Sequence, residues 1–368
     1  MYATTILTGS AIVGYASSSD LNNDKLYKIN SSIMPEESEE HKRTWITFVA
    51  NDYIWSKKQI PEVKKELALL ATTIAKYEPV SILVSSLDKN EAIELLGGLD
   101  NHNFSIELIE FQTDDLWLRD TGPTFVKTIN NQKGGINFNF NGWGEKQEYF
   151  FDGKVADFIT KTAGAKVINS NLVLEGGSFE IDGTGTAILT ESSVINDNRN
   201  PYMTKKDIEK ELKLLLGLKK IIWLKGVKGR DITDAHIDFY ARFSKVGTVV
   251  VSRENYKDTY DYDITRQNIK ILQNSIDANG NRLEVIIIDN PDIFNESFGI
   301  NDFAAGYIGY YACNNAIIMQ KFGDKNADKN AFDIIQKQFP NKTIEQIAID
   351  GIASGGGTIH CSTQQEPK

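Results

Sequence analysis

The sequence predicts an α/β fold built by radial repetition, five helix-and-strand units delivering side chains to one centre. Three observations carry this expectation. Five segments place apolar residues at helical spacing, a short β-rich run follows each, and further β-rich runs lie between them, so strands outnumber helices. A doubly wound parallel sheet would need close to one crossover helix per strand. Repeated units, none able to bury its own face alone, account for the surplus.

Pro61 opens the first helix, a position where its missing N–H costs nothing, and Val63, Leu67, Leu70, Ile74 and Tyr77 share one face. The second spans roughly Lys154 to Thr162 and stops at Gly164. The third starts with a capping-box pattern, Thr204 to Asp207, and ends at Gly217. The fourth carries Ile269, Leu272 and Ile276 before Asn279-Gly280; the fifth has Asp328 as N-cap and ends before Pro340. The runs that follow these helices are Val80–Val84, Lys166–Asn169, Ile221–Leu224, Val285–Ile288 and Ile344–Ile349. Thr44–Val49, Phe104–Ile109, Ile136–Phe140, Phe239–Phe243 and Thr248–Ser252 are read as the additional strands.

One domain is expected over residues 33–368, preceded by a flexible Ser/Thr/Asn-rich leader, residues 1–32. With 41% hydrophobic and 24% charged residues the chain reads as globular, and no apolar run reaches membrane-spanning length. A net charge of -10 argues against nucleic acid and favours small cationic ligands. The two cysteines, Cys313 and Cys361, and four scattered histidines lack the spacing of a zinc site. Compartment stays open between the cytoplasm, slightly favoured, and a secreted mature form. Homo-oligomerisation is left open as well.

Polar clusters recur after the helix–strand units: Trp117 to Pro123, Leu174 to Gly177, Asp234 to Asp238, and Gly355 to Cys361. The glycine triplet before Cys361 allows backbone conformations that other residues resist, so a Gly-rich turn aiming a thiol at a pocket competes with a stray thiol on a frayed terminus. His236 and Asp238 alternate and would share one face of a strand. Cys with His is the nucleophile-and-base pairing, since the thiolate is the reactive species. Asp120, Glu175 and Asp238 surround them with three candidate carboxylates. That excess of negative charge suits a guanidinium, whose planar fork of donors matches carboxylates bidentately.

These same residues carry a family resemblance. WLRDTGPTF (117–125), LEGGSFEIDGTGTAILT (174–190) with NDNRNP (196–201), DITDAHIDFYARF (231–243) and GGGTIHCSTQQEP (355–367) resemble, in order, the motifs of agmatine deiminases and bacterial peptidylarginine deiminases; IMPEESEEHKRTWITF (33–48) looks like a degenerate form of their opening. The resemblance implies a guanidine-modifying hydrolase with a five-bladed α/β propeller fold (the pentein fold). It also implies roles: Cys361 as covalent nucleophile, His236 as general acid and then base, Asp120 and Asp238 gripping the guanidinium, Glu175 orienting His236, and Trp117 packing on the substrate's methylenes. No metal or organic cofactor is implied.

For the substrate, INFNFNGWGEKQEY (136–149) resembles an agmatine deiminase stretch, and residues 124–152 contain no Arg to hold a peptide carboxylate. The reading is therefore agmatine hydrolysis to N-carbamoylputrescine and ammonia. The alternatives are deimination of peptidyl or free arginine, with Arg230 and Arg242 as the nearest cations in sequence, and a guanidine-binding protein without turnover. Ala235 stands where the family has Gly, and Gly309 where it has Asn; both bear on the substrate side of the site.

Overall fold

The structure is a computed structural model that describes residues 32–128, 130–295, 297 and 303–368. The leader expected over residues 1–32 lies, apart from Ser32, outside them. Strand and helix follow one plan in each of five sheets: an antiparallel strand pair, then a helix, then a strand parallel to the second of the pair.

The second sheet along the chain pairs Thr124–Thr128 with Lys133–Asn137 antiparallel; helix Val155–Thr162 crosses over to Lys166–Asn169, parallel to the latter. Ser32–Ile33 adds an edge to this sheet. The third repeats the plan with Phe179–Ile181, Thr186–Thr190, helix Lys205–Leu216 and Lys220–Leu224. The fourth uses Ala241–Lys245, Thr248–Arg253, helix Asp261–Gln273 and Glu284–Asp289. The fifth uses Tyr311–Cys313, Ala316–Lys321, helix Lys325–Gln338 and Thr343–Ala348. Parallel strands require such a crossover, and the helices bury their apolar stripes at the junctions between units: Lys325–Gln338 touches both Glu284–Asp289 and Thr343–Ala348, and Ile60–Ile74 both His41–Phe48 and Thr343–Ala348.

The first unit completes itself from both ends of the domain. Strand His41–Phe48 runs parallel to Val80–Val84 across helix Ile60–Ile74, and Ile106–Glu110 extends the sheet; its antiparallel partner is the C-terminal strand Gln364–Pro367. The tail is thus held by sheet hydrogen bonds and by Glu366, fully buried, which pairs with Lys133 and accepts from Trp45 Nε1 at 3.0 Å. A frayed terminus is excluded.

Most expected elements form within one to three residues of the expected bounds. The capping box is complete at Thr204 and Asp207, and Gly217 closes that helix at φ 73°. Three expectations are corrected. The fifth helix is capped by Asp324, not Asp328, which instead accepts from Phe322 N, Gly323 N and Tyr307 Oη. The fourth helix ends at Gln273, leaving Ile276 in an isolated bridge to Arg282. His236 and Asp238 lie not on a strand but at a single 3-10 turn, Ile237–Phe239.

The segment preceding the first strand of every unit turns toward its counterparts. Arg119 N donates to Cys361 O (3.0 Å), Gly177 N to Asp120 Oδ1 (3.0 Å), and His360 N to Gly309 O (2.9 Å). His236 Nε2 meets Glu175 Oε2 (3.3 Å), and Arg242 Nη1 donates to Tyr310 O (2.8 Å). These contacts join the five segments in a cycle. Among the described residues no helix is long and apolar enough to cross a membrane.

Candidate active site

Because the pre-strand segments occupy equivalent places in their units, residues far apart in sequence arrive at one centre. Asp120 sits in the short helix Leu118–Thr121, Glu175 just before a 3-10 turn, His236 and Asp238 around another, and Cys361 three residues before the closing strand. All five are buried, Cys361 against Asp238 and His236 against Glu175 and Asp120, with Gly177 lying between the two groups. Cys361 Sγ lies 3.6 Å from Asp238 Oδ2 and 3.4 Å from Thr358 Oγ1. His236 spans Glu175 Oε2 (3.3 Å from Nε2) and Asp120 Oδ2 (3.8 Å from Nδ1).

Gly177 makes room at the centre. A Cβ there would stand 2.6 Å from His236 Nδ1 and 3.0 Å from both Asp120 Oδ1 and Asp238 Oδ2, so only glycine lets this backbone lie against all three groups. The glycines before Cys361 let the turn lie flat on aromatic side chains. A Cβ on Gly355 would meet the Trp55 ring at 2.0 Å and one on Gly357 the Trp117 ring at 2.1 Å, so the turn is pressed onto two indoles. Those rings lie 6.0 Å apart on the wall of a cavity of about 1030 Å³, whose lining also includes Ala235 and Gly356.

Burial and charge set the protonation. Burial pushes Asp120 up to about 6, with His236 opposing and Asp238 and Glu175 adding to the rise. For His236 burial acts downward, but Asp120, Glu175 and Asp238 outweigh it and raise the imidazole to about 9, so it is a cation at neutral pH. Glu175 stays below the usual carboxylate range despite burial because Arg199 and His236 face it. Burial raises the Cys361 thiol well above its ordinary value, and Asp238 and Asp120 raise it further. Cys361 is therefore held as a thiol.

Several supporting residues were missed in the sequence. Trp143 donates from Nε1 to Asp120 Oδ2 at 2.9 Å, from a backbone held at φ 56°. Arg199, fully buried, clamps Glu175 Oε1 (2.7 Å) and Asp234 Oδ2 (2.8 Å). Glu37, in the opening that looked degenerate, binds Arg119, Arg242 and His360. His360 itself bridges Asp238 Oδ2 (2.7 Å) and Glu37 Oε2 (2.9 Å). Trp143 and Arg199 lay inside quoted motifs, but their partners are distant in sequence, and local pattern cannot show whom a buried polar group meets. Arg242, a candidate for a substrate carboxylate, is fully buried and held by Glu37, Glu180 and Tyr310 O; it is not available to a ligand.

The model of the Porphyromonas-type peptidyl-arginine deiminase family matches residues 33–367. The chain belongs to this family. Similar relatives include a Legionella pneumophila protein provisionally named an agmatine deiminase, 37% identical over 91% of this chain and 95% of its own length, and the agmatine deiminase of Medicago truncatula, 32% identical over 91% and 96%. Among solved structures, an agmatine deiminase of Enterococcus faecalis superposes with a TM-score of 0.83 at 27% identity, covering 98% of this chain and 100% of that one. The α/β architecture is that of these deiminase structures.

Of the two departures, Gly309 has a local explanation: a Cβ there would come within 2.4 Å of Thr358 Cβ, so this chain has paired a glycine with a threonine in the turn before Cys361. Ala235 has none, since it adopts φ 71°, a left-handed conformation that glycine takes at no cost.

Proposed function

We propose that this chain is a hydrolase that converts agmatine to N-carbamoylputrescine and ammonia through a covalent amidino-cysteine intermediate. The observation that carries the reading is a buried, electron-rich centre with one loose end. Asp120, Glu175 and Asp238 converge on His236 and Cys361, and Asp238 Oδ1 has no hydrogen-bond partner among the described residues. A buried carboxylate oxygen without a donor is costly, and a planar guanidinium supplies the donor.

In this reading Asp120 and Asp238 take the guanidinium. The cation offsets the two negative charges that hold the Cys361 thiol up and sets a positive charge beside the sulfur, so on substrate binding the thiol releases its proton to solvent and the thiolate forms. Its sulfur attacks the guanidinium carbon. His236, already an imidazolium, gives its proton to the departing nitrogen, which leaves as ammonia with the C–N bond's electron pair. The product is an amidino-thioether. The neutral His236, oriented by Glu175, then takes a proton from the incoming water as its oxygen attacks the same carbon. Collapse expels the thiolate, and Trp117 packs on the methylene chain.

Agmatine is favoured over arginine compounds by the charge of the cavity. Asp115, Asp231, Glu254, Asp258 and Asp261 stand on its wall against one cation, Arg230, which lies over the Tyr260 ring. A distal ammonium is welcome there, while a carboxylate would enter an anionic field. We infer further that residues 33–368 form a single catalytic domain, its five units set as the blades of a propeller; five sheets of one plan and the cycle of pre-strand contacts support this.

Ammonia release measured side by side from agmatine, free arginine and a C-terminal-Arg peptide tests the reading. Turnover of agmatine at a kcat/KM at least tenfold above the others is expected. Release from the peptide but not from agmatine transfers the assignment to peptidylarginine. Release from none leaves a guanidine-binding protein, checked by whether agmatine raises the melting temperature.

A further inference from the structure

Beside Cys361 lies a second buried imidazole that the reaction above does not use. His360 precedes Cys361, yet its ring turns to Asp238 and Glu37. Its Nδ1 is 2.7 Å from Asp238 Oδ2, the same oxygen that stands 3.6 Å from Cys361 Sγ. On the other side Glu37 is fastened through Arg119 Nη2 (3.1 Å) and Arg242 Nη2 (2.9 Å), and it accepts from Ala312 N (2.9 Å). Arg242 is fixed in turn by Glu180 (2.8 Å) and the Tyr310 carbonyl. Every group in this chain is buried.

A carboxylate can rotate about its Cβ–Cγ bond, exchanging which oxygen faces the sulfur and which faces the substrate. In Asp238 one oxygen is held and the other is bare. The held oxygen's closest donor is His360, while Gly177 packs against it without donating.

We propose that His360 is a positioning residue: it donates from Nδ1 to Asp238 Oδ2 and so leaves Oδ1 free for the guanidinium. The proposal rests on the hydrolase reading and adds to it a residue that touches no substrate atom. Burial, then Arg119 and Arg242, lower His360 against the opposing pull of Glu37 and Asp238, so the ring keeps one N–H, and the shorter contact places it toward Asp238. Burial works to raise Asp238, and the His360 hydrogen bond leads the interactions that keep it below the usual carboxylate range.

Asparagine places its Nδ2 close to where Nδ1 stands, whereas glutamine reaches past it toward Glu37. The test is therefore His360→Ala, His360→Asn and His360→Gln, assayed as kcat/KM against pH on the guanidine that the wild-type chain turns over. His360→Ala is expected to lose about 10²-fold in kcat/KM, the scale of one preorganised donor. His360→Asn should recover to within about tenfold of wild type, and His360→Gln should resemble His360→Ala. A folded His360→Ala within threefold of wild type, or a His360→Asn no better than His360→Gln, overturns the proposal. If His360→Ala does not fold, the comparison rests on the other two, and Asn no better than Gln overturns it. If the wild type acts on arginine compounds and not on agmatine, the substrate assignment falls and the His360 series is run on the new substrate. If it acts on no guanidine, both fall.

Discussion

Replacing Trp143 by Phe removes one donor from Asp120 and little else. The ring volume is largely kept, and the edge-on contact with Phe140, centroids 4.9 Å apart, survives. What goes is the 2.9 Å bond from Nε1 to Asp120 Oδ2. A hydrogen bond to a charged group contributes about 1.5–3 kcal/mol, and a pKa unit corresponds to about 1.4 kcal/mol, so the ionised form of Asp120 should be disfavoured by roughly one to two units. Burial already holds Asp120 near 6. Its grip on a guanidinium requires the carboxylate, so the acid limb of kcat/KM should rise from near 6 to roughly 7–8. The alkaline limb, set by loss of the His236 proton at about 9, should fall slightly or stay. Asp120 and His236 titrate as a coupled set, so the limbs belong to the pair. The assay is ammonia release from agmatine between pH 5 and about 10. A Trp143→Phe profile with the wild-type acid limb and only a uniformly lower rate would refute the assignment of that limb to Asp120.

Cys361→Ser should abolish turnover, a loss reaching ~10⁶-fold by comparison with other covalent nucleophiles, while calorimetry shows agmatine still bound. Gly177→Ala should cost at least ~10²-fold in kcat/KM with an unchanged circular dichroism spectrum, since its Cβ would displace His236 or the two aspartates. Arg199→Met leaves Glu175 and Asp234 buried without their shared cation and should destabilise the fold by about 3–5 kcal/mol, read from the urea midpoint. Ala235→Gly relieves a left-handed alanine and should raise stability by up to about 1 kcal/mol in the same assay.

By itself the sequence determined the units and the chemistry of their junctions. Helix periodicity, the Thr204–Asp207 box and β-branched runs are local signals, because backbone hydrogen bonding and capping act over a few residues. The types of Asp120, Glu175, His236, Asp238 and Cys361, each in a polar cluster after a unit, were legible for the same reason. Tertiary structure alone decided which groups meet. That Glu37 anchors Arg119, Arg242 and His360, that Arg199 clamps Glu175, and that Arg242 is withdrawn from any ligand depend on contacts across 24 to 323 residues of chain. The short strand Gln364–Pro367 shows the difference most plainly. Read locally it is a polar tail after Cys361, but paired with His41–Phe48 it closes the first unit. A sheet's missing edge partner lies in its hydrogen-bonding geometry, which no local pattern of side chains records.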